Sequence, residues 1–159
     1  MKENFGKAFG IGLAAVAVVV GAVLFLQRGA HVELPGTMRV RTVGTGEHES
    51  LVLADLHLTN PSDYTFEIKN VTVILENKDG QFPHEIVSKS DAQRLFDSLP
   101  DAGPFHAPLY TKATIPPHTT GDYTVAAPFS APERILKDRK RFIVRIEETN
   151  GTAIDFSEK

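Results

Sequence analysis

The stretch LHLTNPSDYTFEIKNVTVILENKDG, residues 56–80, decides the fold. Its first part, with Leu56 and Leu58 in one phase, ends a strand at Asn60-Pro61-Ser62-Asp63, because Pro has no N–H for a ladder and Asn and Asp favour turns. The run after it sets Phe66 and Ile68 in one alternating phase and Val71, Val73 and Leu75 in the other. One extra residue near Lys69-Asn70, a β-bulge, would bring both groups to a common face. Asn77-Lys78-Asp79-Gly80 then reads as a tight turn.

On the N-terminal side, residues 50–59 extend the same strand, with Val52 and Ala54 in phase with Leu56 and Leu58, and residues 37–43 form another strand beyond Gly44-Thr45-Gly46. On the C-terminal side a short strand at 82–87 precedes a helix at 91–99. Ser90 with Gln93 makes a capping box there, and Ala92, Leu95, Phe96 and Leu99 make the apolar stripe. Strands are expected at 109–115 and 122–127, and a second short helix at 132–139 with Pro132 at its first turn. In the final hairpin a three-residue loop, Thr149-Asn150-Gly151 with Gly151 left-handed, places Ile146 opposite Ile154 and Val144 opposite Phe156. A two-residue loop would instead set Ile146 against Asp155, so burial selects the longer loop.

About seven short strands with frequent turns point to an all-β, immunoglobulin-like antiparallel β-sandwich with one or two short inserted helices. Over residues 56–80 the chain resembles the membrane-anchored Ig-like domains of bacteria of the FxLYD type, and more distantly the late-embryogenesis-abundant type 2 domain. The matching features are a strand ending at Asn60, the strand Val71-Thr72-Val73, the turn Asp79-Gly80 and the Pro-containing turn Ile115-Pro116-Pro117-His118-Thr119. The resemblance covers about half of the outer domain. It implies an architecture and carries over no catalytic residue, and the helix at 91–99 departs from its pattern.

Ahead of this domain, residues 8–27 contain no ionisable side chain. At about 1.5 Å rise per residue a helix of that length spans a bilayer core. Residues 1–7 are read as a cytoplasmic N-terminus, 8–27 as one transmembrane anchor, 28–36 as linker and 37–159 as the extracytoplasmic domain. Lys2 and Lys7 before the span, against Arg28 alone after it, favour the N-terminus inside and the domain in the periplasm or outside a bacterial cytoplasmic membrane. A cleaved signal peptide is the competing reading, opposed by the length of the apolar run and by Arg28 at the small-residue site Arg28-Gly29-Ala30. Gly6, Gly10, Ala14, Ala17 and Gly21 share one helical stripe along which a second anchor could pack, giving a homodimer.

Cysteine is absent, which removes disulfides, thiol catalysis, thiolate metal sites and lipid attachment at a cysteine. From Arg28 onward 15 basic and 19 acidic residues leave a net charge of −4, so no field suited to nucleic acid arises. The basic run Lys137-Asp138-Arg139-Lys140-Arg141 reads as the cationic end of a short helix. His84-Glu85 lacks the second histidine of a zinc-protease helix, and no nucleophile elbow or phosphate loop occurs. No catalytic residue, cofactor or metal is therefore expected. The candidate partner surface is the loop carrying Phe105, His106, Leu109 and Tyr110, where aromatic and apolar side chains stand among rigid prolines; the competing reading, favoured by the usual burial of large apolar side chains, tucks Phe105 and Leu109 onto the core beneath the loop. The expected function is a non-enzymatic membrane protein displaying a binding or scaffolding domain, with a protein partner in an envelope complex. The alternatives are a periplasmic metal or small-ligand carrier using His106, His118 or a pocket at an end of the sandwich, and an envelope hydrolase.

Overall fold

The computed structural model describes residues 16–22 and 33–158, and the chain divides into two compact units, Met1–His31 and Val32–Lys159. In the first unit residues 16–22 are helical (α1), and Val16, Val18, Val19 and Val20 are exposed. Among the described residues no helix is long and apolar enough to cross a membrane. Most of the expected span 8–27 lies outside the described residues, as do Gly6, Gly10 and Ala14 of the small-residue stripe, whereas Ala17 and Gly21 belong to α1.

The second unit is mostly β, in two sheets. β1 (Gly36–Gly44), β2 (Ser50–Asn60), β7 (Thr119–Phe129) and β5 (Ala107–Pro108) form the first, in the order β1-β2-β7-β5. β4 (Gly80–Glu85), β3 (Phe66–Asn77), β8 (Arg141–Glu148) and β9 (Ala153–Ser157) form the second, with β6 (Thr114–Ile115) pairing the start of β3. Alternation along each strand puts one set of apolar residues between the sheets. Val52, Ala54, Leu56, Leu58, Val125 and Ala127 come from one side and meet Phe66, Ile68, Val71, Val73, Phe142, Val144 and Ile146 from the other in one core.

The expected bulge falls between Ile68 and Asn70, where the register to β8 shifts, so both phases of β3 reach that core. The hairpin β8–β9 takes the register that burial favoured, Ile146 opposite Ile154 and Val144 opposite Phe156. Gly151 there has φ +92°, and Glu148 N donates to Thr152 O at 2.8 Å.

The first half of β2 is apolar on both faces. Leu51 and Leu53 point away from the main core and pack with Ala126 against Ala92 and Phe96 of α2 (Lys89–Ser98), so the helix lies on the outer surface of the first sheet. Its cap differs from the expected Ser90–Gln93 box. Ser88 caps it, accepting from Asp91 N at 3.2 Å, because Asp91 lies one turn after Ser88 and the helix starts two residues earlier. α3 (Glu133–Lys137) begins after Pro132 and buries Leu136 in the main core.

Three further expectations are corrected. Residues 109–115 do not form one strand, because Lys112 takes φ +72° and breaks the run between β5 and β6. β5 pairs parallel to β7, so the first sheet is not purely antiparallel. The domain also begins inside the expected linker 28–36. Leu34 is buried in the core, Thr59 N donates to Pro35 O at 2.9 Å, and Gly36 already belongs to β1.

Candidate functional site

The loop expected to recognise a partner is instead clamped onto the sheet by a charged network. Arg41 on β1 reaches diagonally to Asp55 on β2, with Nε and Nη2 each donating at 2.9 Å. Its Nη1 donates to Ala102 O and its Nη2 to Pro104 O at 3.0 Å, which fixes both sides of Gly103. Gly103 has φ +106°, and a Cβ at this position would collide with Arg41 Nη1. Thr124 Oγ1 donates to Asp55 at 2.8 Å and accepts from His106 N at 3.0 Å. The Arg41 and Asp55 side chains are about one-fifth exposed, at 20% and 19%. A bidentate guanidinium–carboxylate pair holds its geometry in such a setting.

The four residues of the expected surface therefore separate. Phe105 stacks on Phe96 at 4.4 Å between centroids, with the Arg41 guanidinium 5.5 Å from its ring, and joins the outer cluster under α2. Leu109 is 2% exposed and belongs to the main core, which removes it from any contact surface. Tyr110 is half-buried, with Lys89 Nζ 4.9 Å from its ring. His106 alone of the four stays exposed. Prolines did stiffen this segment, but the apolar side chains used that stiffness to pack inward.

Beside His106, the open half of the first sheet carries a row in register across three strands, Thr37, His57 and Asp122. His57 Nδ1 and Asp122 Oδ1 lie 2.7 Å apart, and the hydrogen bond from His57 holds the Asp122 carboxyl below its usual range. A shallow concavity of about 210 Å³ includes Arg39, His57, His106 and Asp122. Both members of the His57–Asp122 couple are 54% exposed on a flat sheet face, where water screens them.

His118 is engaged elsewhere, its Nε2 2.8 Å from Asp63 Oδ1, so the His106–His118 convergence required of a metal carrier is not formed. Among the described residues no group of three His, Cys, Asp or Glu side chains is arranged to hold a metal ion.

The basic run is satisfied within the domain. Lys137 pairs with Glu133 at 2.9 Å, and Arg139 pairs with Glu158 and donates to Leu136 O at 3.0 Å, at the end of α3. Lys140 and Arg141 grip Glu76 at 2.6 and 2.9 Å. With Gln81 they lower the Glu76 carboxyl to about 2. Glu148 is the opposite case: buried on the core-facing side of β8, its Oε2 has no partner among the described residues, and burial pushes its carboxyl up.

Asn60, fully buried, closes the end of the domain at which β1 begins. Its Nδ2 donates to Tyr64 O, Ile115 O and Pro116 O at 2.8, 2.9 and 3.1 Å, and its Oδ1 accepts from Ser62 N and Ser62 Oγ at 3.1 and 2.8 Å. One side chain thus ties the turn after β2 to the turn after β6. Sequence reasoning placed Asn60 as a strand end and missed this role. It also missed the Arg41–Asp55–Thr124 network, for which the sole signal was Asp55 inside the otherwise apolar LVLADL.

No family model and no curated protein matches the chain. The X-ray structure of Northeast Structural Genomics Consortium target SoR45 aligns with 80% of this chain and 82% of its own, at 12% identity and a TM-score of 0.37. At that distance neither fold detail nor function transfers.

Proposed function

We propose that the chain is a non-enzymatic, single-pass protein of a bacterial cytoplasmic membrane, holding an Ig-like β-sandwich outside the membrane as a binding or scaffolding domain. Its N-terminus lies in the cytoplasm, and its partner is a protein of an envelope complex. The observation that carries the reading is the uncharged run 8–27 directly ahead of a two-sheet domain. The domain adds support, because Arg41, Asp55, Glu76, Arg139 and Arg145 spend their charge on one another or on neighbouring strands. Charges paired in this way hold an architecture together, which is the demand on a scaffold.

Protease added outside spheroplasts should digest the domain and leave the N-terminus protected, and the mature protein should retain residues 1–28. A mature N-terminus at His31 would overturn the anchor. Affinity purification of the intact chain in mild detergent should recover an envelope protein in stoichiometric amount, and recovery of the chain alone under several conditions would overturn the accessory role.

A further inference from the structure

The two sheets have four edges, and three are protected against added strands. β5 has two residues, one of them Pro108. β4 carries Pro83, which has no N–H to offer a neighbour. β9 has five residues, and its Asp155 is tied to Arg145 by paired hydrogen bonds of 2.7 Å. β1 has one arginine tied, Arg41 to Asp55, but otherwise differs. It runs nine residues without proline, and its register with β2 is unbroken from Gly36 opposite Leu58 to Gly44 opposite Ser50. Alternate backbone groups of such a strand point away from its one partner, ready for another chain.

Side chains along β1 say what kind of chain fits. Met38 and Val40 are half-buried at the margin of the main core, so residues laid beside them would extend that core. Arg39 lies on the other face, opposite Asp55 in register. Both Asp55 oxygens, however, accept from Arg41, so Arg39 is exposed without a carboxylate partner among the described residues. At the far end Glu133 stands against Thr42 and Gly44, which confines a docking segment to residues 36–41.

From this edge we infer that β1 receives an extended segment of a partner protein, added as a further strand, in which apolar residues beside Met38 and Val40 alternate with an acidic residue beside Arg39. The inference rests on the partner-binding reading and names the surface used. A second copy of the chain fits poorly. Antiparallel self-pairing centred on Arg39, Val40 or Arg41 sets arginine against arginine, and like charges directly opposite destabilise a pair. Registers centred on Met38 or Thr42 leave nearly half of the strand unpaired.

The test uses the full chain in mild detergent with two labelled synthetic peptides, one alternating Val and Glu, the other Val and Lys. The acidic peptide should bind and slow hydrogen exchange at the amides of β1, while the basic one should not bind. Arg39→Glu, at an exposed position, should keep the thermal midpoint, weaken the acidic peptide by about fivefold or more and admit the basic one. Failure of both peptides at millimolar concentration, equal affinity in Arg39→Glu, or protection of β4 or β9 in place of β1 would overturn the inference. An envelope protein that co-purifies undiminished with Arg39→Glu would overturn the edge and leave the partner-binding reading standing. Peptide binding by a chain that recovers no partner would do the reverse.

Discussion

Asn60→Asp, compared with Asn60→Ala, isolates the work of one amide. Asn60 has no exposed surface and supplies donors to three backbone carbonyls and an acceptor to Ser62. Truncation to Ala removes about four effective hydrogen bonds at roughly 1 kcal/mol each and strands a buried carbonyl, giving a loss of about 3 to 5 kcal/mol. Against a typical domain stability of about 5 to 15 kcal/mol that is a large fraction. Asn60→Asp keeps the volume and the bond from Ser62, yet turns an oxygen toward the carbonyls of Tyr64, Ile115 and Pro116, so at neutral pH it should cost more than Ala. The new carboxyl would have a folded-state pKa above its unfolded value. Stability should therefore return as pH falls and protonation restores one donor, and be lost again as pH rises through the folded value. Urea unfolding of the full chain in mild detergent, followed by near-UV circular dichroism between about pH 4 and pH 8, reads both effects. An Asn60→Asp midpoint equal to the parent's, or one that falls relative to the parent on acidification, would refute the role of the amide.

Gly151→Val should lower stability by about 2 kcal/mol, since a Cβ is strained in the left-handed region, and Asn150→Val should cost less; equal thermal midpoints would contradict the loop geometry. Leu109→Ala should cost about 2 to 4 kcal/mol as a core deletion, whereas His106→Ala should change stability by under about 0.5 kcal/mol, both by urea titration. Burial raises the Glu148 carboxyl, so its folded state is favoured below the ordinary carboxylic range and loses stability as pH rises through the raised value. Glu148→Gln should accordingly raise the melting temperature at neutral pH and give no gain in acid. Glu76 runs the other way. With its carboxyl near 2 against an ordinary 4.5, its contribution is present above 4.5 and lost between those values, so Glu76→Gln should flatten the acid limb of the stability profile there.

What could be read in the sequence was what period-two alternation and turn chemistry control. The split phase of Phe66 and Ile68 against Val71 and Val73 required a bulge, and facing Ile146 with Ile154 required Gly151 to be left-handed. Both are local problems with one low-energy answer. The placement of α2 was harder, because it depends on Leu51 and Leu53 being buried by residues about forty positions away. The apolar run LVL carried that signal, since a strand with one wet face would not have Leu at 51 and 53 as well as Val52. The cap was misplaced because Ser88 and Ser90 both precede suitable partners, and only the position of the first turn chooses between them. For the loop 103–110 the sequence leaves inward packing and outward display both open for a related reason. Its inward packing is decided by Arg41 and Phe96, which nothing in the loop itself announces.

The double-faced β2 also sets an order of events for the emerging chain. Made from the N-terminus onward, β2 leaves the ribosome before every element that will cover it, except its neighbour β1: β3 and β8 shield one side, and α2, closing over Leu51 and Leu53, the other. Until β3 has appeared, both faces at the start of this strand are bare at once, and Leu51 and Leu53 stay bare until residue 98 has appeared. Nascent chains halted in that interval would be sticky. α2 is in this sense a late-arriving lid on a liability created some forty residues earlier, and a chain shortened before it would be expected to clump rather than persist as a smaller stable domain.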